Sequence, residues 1–403
     1  MSKPEILSFL KEEFLMPQPE VLELSNKSQL LFIGIPKERA FQEKRVPLVP
    51  EAVGLLVSNG HKVYLEKGAG MASFFTDKEY SDAGAKICLN VKEVYYADII
   101  LKVLPPSIEE LDYLKHNQCL ISALQLKTRT SDYFKKLMEK KVTAVAFDYI
   151  QDETKAFSIV QSMSEIAGNS SILIASELLN TTAGGKGMLM GGIPGVSPTQ
   201  VVIIGAGTVA EYASRTAIAL GASVKVFDNS IARLRRLQND IHLPVATSIL
   251  QPKVLEKALR RADVAIGALR AMDGRTPCVI SDEMVKMMKP KSVIVDVSID
   301  QGGCFETSEV TSHETPIFTK YDVIHYCVPN IASRVSKTAS FSLSNILAPL
   351  LLEVGNGGGV KGMLLRSTNI RGGVYVYNGI LTNKGIGQWF DLPSKEIKLL
   401  LGH

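Results

Sequence analysis

The sequence predicts an α/β protein built from two doubly wound parallel-sheet domains with a cleft between them. Three observations carry that prediction: a length of 403 residues, two successive series of short β-rich runs alternating with helical patterns, and a glycine turn heading the second series. One core rarely organises so long a chain, so two domains of roughly 150 to 200 residues are expected.

The first series runs LFIGIPK (31–37), KVYLEKG (62–68), AKICL (85–89), IILKV (99–103), CLISALQ (119–125) and VTAVAFD (142–148), with helix-like stretches such as PEAVGLLVSNG and TSDYFKKLMEKK between them. After a long helical pattern, SMSEIAGNSSILIASELLN, the second series runs VVIIG (201–205), SVKVFD (223–228), DVAIGAL (263–269), SVIVDVS (292–298) and VIHYCV (323–328). A further helical pattern, SFSLSNILAPLLLEV, is expected to return to the first domain. That division makes residues 1–160 and 337–403 a discontinuous substrate domain and 161–336 a nucleotide-binding domain. The linking TTAGGKGMLMGGIPGVSP (181–198) reads as a loop able to approach a ligand or another backbone closely, and GNGGG (355–359) as a turn or loop. MSKPEILSFLKEEF reads as a short amphipathic helix, without the order of a secretory signal.

Composition narrows the partners. The net charge of +4 arises from 45 basic and 41 acidic residues spread along the chain, which argues against nucleic acid. No stretch approaches the roughly 20 uninterrupted apolar residues of a membrane span. Five scattered cysteines without metal or redox spacing suggest reduced thiols and a cytoplasmic setting, and the six histidines are isolated, so no metal is expected.

The strongest local signal is VVIIGAGTVAEYASRTAIALGASVKVFD. A strand enters Gly205-x-Gly207-x-x-Ala210, a helix follows, and a second strand ends in Asp228. The first glycine suits the tight turn, the second lets backbone amides approach a pyrophosphate, and Ala210 lets helix and strand pack closely. Asp228 sits where a carboxylate accepts both ribose hydroxyls and repels a 2′-phosphate, which favours NAD(H) over NADP(H). Arg233 either meets a cofactor phosphate or lies solvated at a helix start.

Ligands of open α/β sheets bind beyond the carboxyl ends of the strands. Four polar residues stand there: Arg45 after the first strand, Lys102 closing ADIILKV, Gln125 closing CLISALQ, and Asp300 after SVIVDVSI. Arginine suits a carboxylate and lysine a carboxylate or carbonyl, while aspartate orients or deprotonates water. Blander uses also fit: Lys102 snorkelling to solvent, Asp300 capping the turn IDQGGCFE, Gln125 a satisfied hydrogen-bonding residue. His325, in VIHYCVPN, reads as a core or neighbouring histidine.

The stretches IGIPKERAFQEKRVPLVPEAV, ADIILKV, SMSEIAG, GGIPGV, VVIIGAGTV, VIVDVSIDQGGCFETSEVTSHE and HYCVPNIASRV resemble, in order, the motifs of the alanine dehydrogenase family. The resemblance implies two Rossmann-like domains around a cleft, NAD-dependent reversible deamination of L-alanine to pyruvate and ammonia, and a homohexamer. It also implies carboxylate binding by Arg45, carboxylate or carbonyl contact and proton transfer by Lys102, and water activation by Asp300. Ser164, Asp228, Arg233 and Asn330 fall on positions that the resemblance implies are cofactor or cleft contacts. The family's acid/base histidine is replaced by Gln125, which cannot exchange a proton near neutral pH. That departure keeps open an NAD(H)-binding transhydrogenase component, an opine-type or other amino-acid dehydrogenase, and a sensor without turnover.

Overall fold

A computed structural model of the protein describes residues 28–270 and 276–402. The helix read from the first fourteen residues lies outside the described residues. The fold is α/β, with two sheets flanked by helices. Every strand read from the sequence is present: β1 (Phe32–Ile35), β2 (Lys62–Glu66), β3 (Lys86–Cys88), β4 (Ile99–Leu101), β5 (Cys119–Ser122) and β6 (Thr143–Ala146) in the first series, and β7 (Gln200–Ile204), β8 (Ser223–Phe227), β10 (Val264–Gly267), β11 (Val293–Asp296) and β13 (Val323–Tyr326) in the second. Four others were not anticipated: β9 (Ala246–Ser248), β12 (Ile317–Lys320), β14 (Val374–Tyr377) and β15 (Ile380–Leu381).

The first sheet has the order β15-β14-β6-β5-β4-β1-β2-β3 and the second β12-β13-β11-β10-β7-β8-β9. Six strands of each are parallel, and β14, β15 and β12 are antiparallel additions at the edges. Because β14 pairs with β6, residues 374–381 belong to the first sheet. In both sheets the order reverses beside the first strand, between β1 and β4 and between β7 and β10. A crevice opens at such a reversal, since the crossover helices leave to opposite faces.

Inner strands are apolar because both of their faces are covered. In β4, Ile99 and Leu101 join the core with Leu343 and Leu347, while Ile100 faces Phe134 and Tyr375. In β7, Ile203 packs with Val226 and Ile266, and Ile204 with Phe227 and Ile294 on the other face.

Two long helices join the domains. Ser158–Leu178 crosses Thr208–Ala219 at Gly168, where a Cβ would stand 2.5 Å from Val209 O and 2.8 Å from Tyr212 Cβ. Ser336–Asn356 returns to pack against the helix Pro50–Ser58 of the first domain. Its hydroxyls serve the first domain's loop, Ser340 Oγ accepting Val46 N–H and Ser344 Oγ accepting Val49 N–H, each at 3.0 Å. Among the described residues Ile331–Asn356 is long and apolar enough to cross a membrane, but Leu343, Leu347 and Leu351 lie in the first domain's core. GNGGG starts one residue pair later than its composition suggested, since Gly355 and Asn356 still belong to this helix.

Candidate active site

The candidate cofactor half of the site is the turn after β7. Gly205 has φ +113°, a conformation closed to other residues, and its Cβ position is 2.4 Å from Ala268 O at the end of β10. The turn is thus seated against the strand across the reversal. Gly207 caps the helix Thr208–Ala219, and nothing lies within 4 Å of where its Cβ would be. That open side, at a helix N-terminus, leaves room for an anion. Ala210 is fully buried between helix and sheet.

Asp228, 3% exposed, directly follows β8. Its Oδ2 accepts Ala206 N–H at 2.9 Å and its Oδ1 accepts Ser230 N–H at 2.7 Å, so it anchors the glycine turn itself. Each oxygen keeps a lone pair for a ribose hydroxyl. The exposed Arg233 places Nη1 3.9 Å from Asp228 Oδ2. Beside them a cavity of about 230 Å³, lined by Asn229, Leu250, Pro252, Leu255, Val279 and Met284, offers an apolar slot for a planar ring. An open glycine turn, an acidic group and an apolar slot in that order fit a dinucleotide.

A second cavity, of about 310 Å³, lies between the domains. Arg45, Gln125 and Asp148 of the first domain line it together with Ser164, Arg270, Asp300 and Asn330 of the second. Arg45 is buried and gives Nε to Glu43 Oε1 (2.8 Å), Nη2 to Glu43 Oε2 (2.5 Å) and Nη1 to Met163 Sδ (3.3 Å). Burial opposes its charge, but Glu43 outweighs that and holds Arg45 above its ordinary value. Glu43 is likewise pushed up by burial and pulled further down by Arg45. One N–H on each terminal nitrogen of Arg45 remains for a ligand.

Asn330 bridges the domains. Its side-chain Nδ2 donates to Glu43 Oε2 at 3.0 Å, and its backbone N–H donates to Asp300 Oδ1 at 2.9 Å. Asp300 is open to the cavity yet ringed by protein, and that enclosure raises its carboxyl pKa against the pull of Asn330 and Arg45. Gln125 and Asn330 both adopt left-handed backbone, at φ 46° and 57°. Strained non-glycine positions gather at binding sites because surrounding contacts must impose them. Ser164 donates its hydroxyl to Val160 O at 2.7 Å, so towards the cavity it can only accept.

Lys102 departs from the expectation that it faces the substrate. It is 1% exposed and absent from the cavity wall, which its neighbours Val103 and Leu104 form. Its ammonium lies 3.1 Å from Glu110 Oε1 and 3.4 Å from Glu38 Oε2. A charge closing an apolar run was found to be satisfied internally, by carboxylates from two loops. Burial pushes Glu38 up to about 7, although Lys102 opposes the shift.

Sequence reasoning missed Glu43, Asp148 and Arg270. Asp148 closes VTAVAFD and Arg270 follows DVAIGAL, so the strand-end rule that found Gln125 also points to both. Glu43 carried no such signal, because its pairing with Arg45 is made by an irregular loop. His325 is a core residue: Nε2 meets Thr307 Oγ1 at 2.8 Å and the ring stacks on Phe318.

Two doubly wound domains, one bearing a dinucleotide turn and the other closing a polar cavity over it, define a nucleotide-dependent dehydrogenase architecture. The chain belongs to the alanine dehydrogenase/PNT family, whose N-terminal domain model matches residues 34–167 and whose C-terminal domain model matches 171–384. It is 39% identical over 365 residues to an alanine dehydrogenase of Methanococcus maripaludis (90% of this chain, 97% of that one). To the alanine dehydrogenase of Bacillus subtilis it is 38% identical over 359 residues (89% and 94%). A solved L-alanine dehydrogenase superposes with a TM-score of 0.83 at 34% identity, covering 89% of this chain and 99% of that one. A transhydrogenase from Sinorhizobium meliloti, at TM-score 0.75 and 22% identity over 88% and 99% of the chains, shares the fold.

Proposed function

We propose that the chain is an NAD-dependent alanine dehydrogenase, catalysing the reversible oxidative deamination of L-alanine to pyruvate and ammonia. The observation that carries this reading is the cavity in which Arg45 of one domain and Asp300 of the other are tied together through Asn330. NAD, when bound, accepts the hydride from the substrate Cα. Gly205, Gly207 and Ala210 shape its pyrophosphate turn, and Asp228 takes the ribose while disfavouring a 2′-phosphate. Arg233 flanks the cofactor, with Ser164 and Asn330 on the cleft side.

Within the cavity, the free N–H edge of Arg45 pairs with the substrate carboxylate, and Glu43 fixes the guanidinium plane. Gln125 hydrogen-bonds the substrate's oxygen or imine, and Asp300 positions water at the carbon left by hydride loss. Orientation supplies much of the rate. Lys102, to which the family resemblance gives a carboxylate or carbonyl contact and a proton-transfer role, stands beside the lining residues Val103 and Leu104 and would turn from Glu110 and Glu38 to meet the substrate.

The chain works as an oligomer, with a homohexamer as the assembly that the family resemblance implies. In the loop 181–198, Leu189, Ile193 and Val196 are more than half exposed, as an apolar subunit contact requires. The cysteines form no disulfide among the described residues, which fits a reducing, cytoplasmic setting. The test mixes the protein with NADH, ammonium and pyruvate, then glyoxylate and 2-oxobutyrate. Ammonium-dependent NADH oxidation with pyruvate as best acceptor supports the reading, and NADH binding without oxidation of any pair overturns it.

A further inference from the structure

Deamination needs a group that takes a proton from water and returns it to nitrogen, and Gln125 cannot do either near neutral pH. β5 and β6 are parallel neighbours with Ser122 opposite Ala146, so Gln125 and Asp148 emerge side by side just past their paired ends. Leu124 N–H donates to Asp148 Oδ1 at 3.1 Å, which ties the carboxylate to the residue before Gln125. Both side chains line the interdomain cavity. Among the described residues its other charged lining groups are Arg45 and Arg270, guanidinium groups with no acceptor for a proton, and Asp300, which comes from the opposite domain.

We infer that Asp148 is the proton-transferring residue of the reaction proposed above, standing in for a base at position 125; the inference rests on that reading. After hydride loss the substrate is an iminium ion. A water lone pair forms the C–O bond, and one water proton passes to the Asp148 carboxylate, leaving a neutral carbinolamine. Asp148 then gives that proton to the nitrogen, the C–N bond breaks with its electron pair leaving on ammonia, and the hydroxyl proton passes to the Asp148 carboxylate as the carbonyl forms. In the reverse direction the same carboxyl protonates the departing hydroxyl.

The surroundings suit the task. Burial pushes Asp148 up to about 6, while the N–H of Leu124 and the charge of Arg270 restrain the rise. The Tyr375 phenol on β14, paired with the Tyr133 hydroxyl, lies near enough to feel the charge of Asp148, and burial keeps that group protonated. A carboxyl ionised near neutrality yet easily reprotonated is close to the optimum for general acid–base work.

Asp148→Asn keeps an acceptor for Leu124 N–H and removes only the ionisation. It is expected to lower kcat by about 100-fold or more, to leave NADH affinity within about threefold by fluorescence titration, and to abolish the limb of the kcat/KM profile near pH 6. Gln125→His placed in the same variant is expected to restore at least about tenfold of the lost rate, with a limb in the ordinary histidine range. A purely structural Asp148 gives no such rescue. Should Asp148→Asn fail to bind NADH, Asp148→Glu decides: a retained limb supports the assignment and a lost one overturns it. Near-normal kcat in Asp148→Asn with the limb intact, or no rescue by Gln125→His, overturns the assignment. A wild-type protein without ammonium-dependent turnover overturns the parent reading, and this one with it, before any variant is made.

Discussion

Placement of the dinucleotide is tested by a pair of glycines two residues apart. At Gly205 a methyl group meets the Ala268–Leu269 peptide, 2.4 Å from Ala268 O, 2.7 Å from Ala268 C and 3.1 Å from Leu269 N, at φ +113°. None of those atoms is a flexible side-chain end, so β7 and β10 must part. The disfavoured backbone costs roughly 1–3 kcal/mol and the overpacking a similar roughly 1–3 kcal/mol. Gly205→Ala is therefore expected to unfold more easily by about 2–6 kcal/mol and to bind NADH poorly. At Gly207 the backbone is one that alanine adopts readily, and no atom of the protein lies within 4 Å of the new methyl. Gly207→Ala is expected to unfold at the wild-type midpoint while losing at least about tenfold in NADH affinity, since the methyl fills the space open to the pyrophosphate. Urea unfolding and NADH fluorescence titration read the two effects separately. Wild-type NADH affinity in Gly207→Ala refutes the placement, and unchanged stability in Gly205→Ala refutes the steric argument.

Glu38 and His325 predict pH dependences of opposite sign. Glu38 has its folded pKa raised to about 7, so the stability it contributes is present at low pH and is lost as pH rises from about 4.5 through 7. Glu38→Gln should remove on the order of 3 kcal/mol of that decline in urea titrations at several pH values, and an unchanged slope would count against the burial argument. His325, lowered to about 4 by burial, contributes stability that is present above about 6.5 and is lost as pH falls through 4; His325→Gln should flatten that acid limb without altering the pH dependence of turnover. Asn330→Asp should lower kcat/KM by about tenfold to a hundredfold, from loss of one hydrogen bond to a charged group and repulsion of Glu43, with Asn330→Gly losing only the hydrogen bond. Steady-state kinetics at saturating NADH distinguishes the two.

The inner strands were legible because burial on both faces forces apolar runs. Each run read from the sequence extended past its last paired residue, and the overhang carries the candidate site residues Gln125 after β5, Asp148 after β6 and Asp228 after β8, whereas Lys102 after β4 pairs with Glu110 and Glu38 instead of lining the cavity. The edge strands were not legible, since β9 and β12 are half exposed and carry polar residues. The β14–β15 hairpin had a readable signal in VYVYNGIL, where Asn378 and Gly379 take φ 47° and 78° as a type I′ turn requires. Side-chain partners were beyond reach: nothing in ADIILKV says that Lys102 will meet Glu110 and Glu38 rather than a ligand, because those partners come from separate loops.

The interdomain network explains why asparagine stands at position 330. The loop there turns through left-handed backbone, which glycine and asparagine tolerate best. Glycine would keep the N–H that holds Asp300 but would leave Glu43 without its donor. Aspartate would set a third carboxylate between Glu43 and Asp300, both already enclosed. The same Glu43 meets Arg45 through both oxygens, and the adjoining loop is pinned to the second domain by Lys44 N–H to Ser333 Oγ at 2.9 Å and His313 N–H to Gln42 Oε1 at 2.8 Å. Arg45 and Asp300 belong to different domains, yet neither can shift without breaking a bond to the same asparagine or to the carboxylate it holds. Separation of the domains would therefore disassemble the cavity's charged groups together, and their assembly requires the closed arrangement.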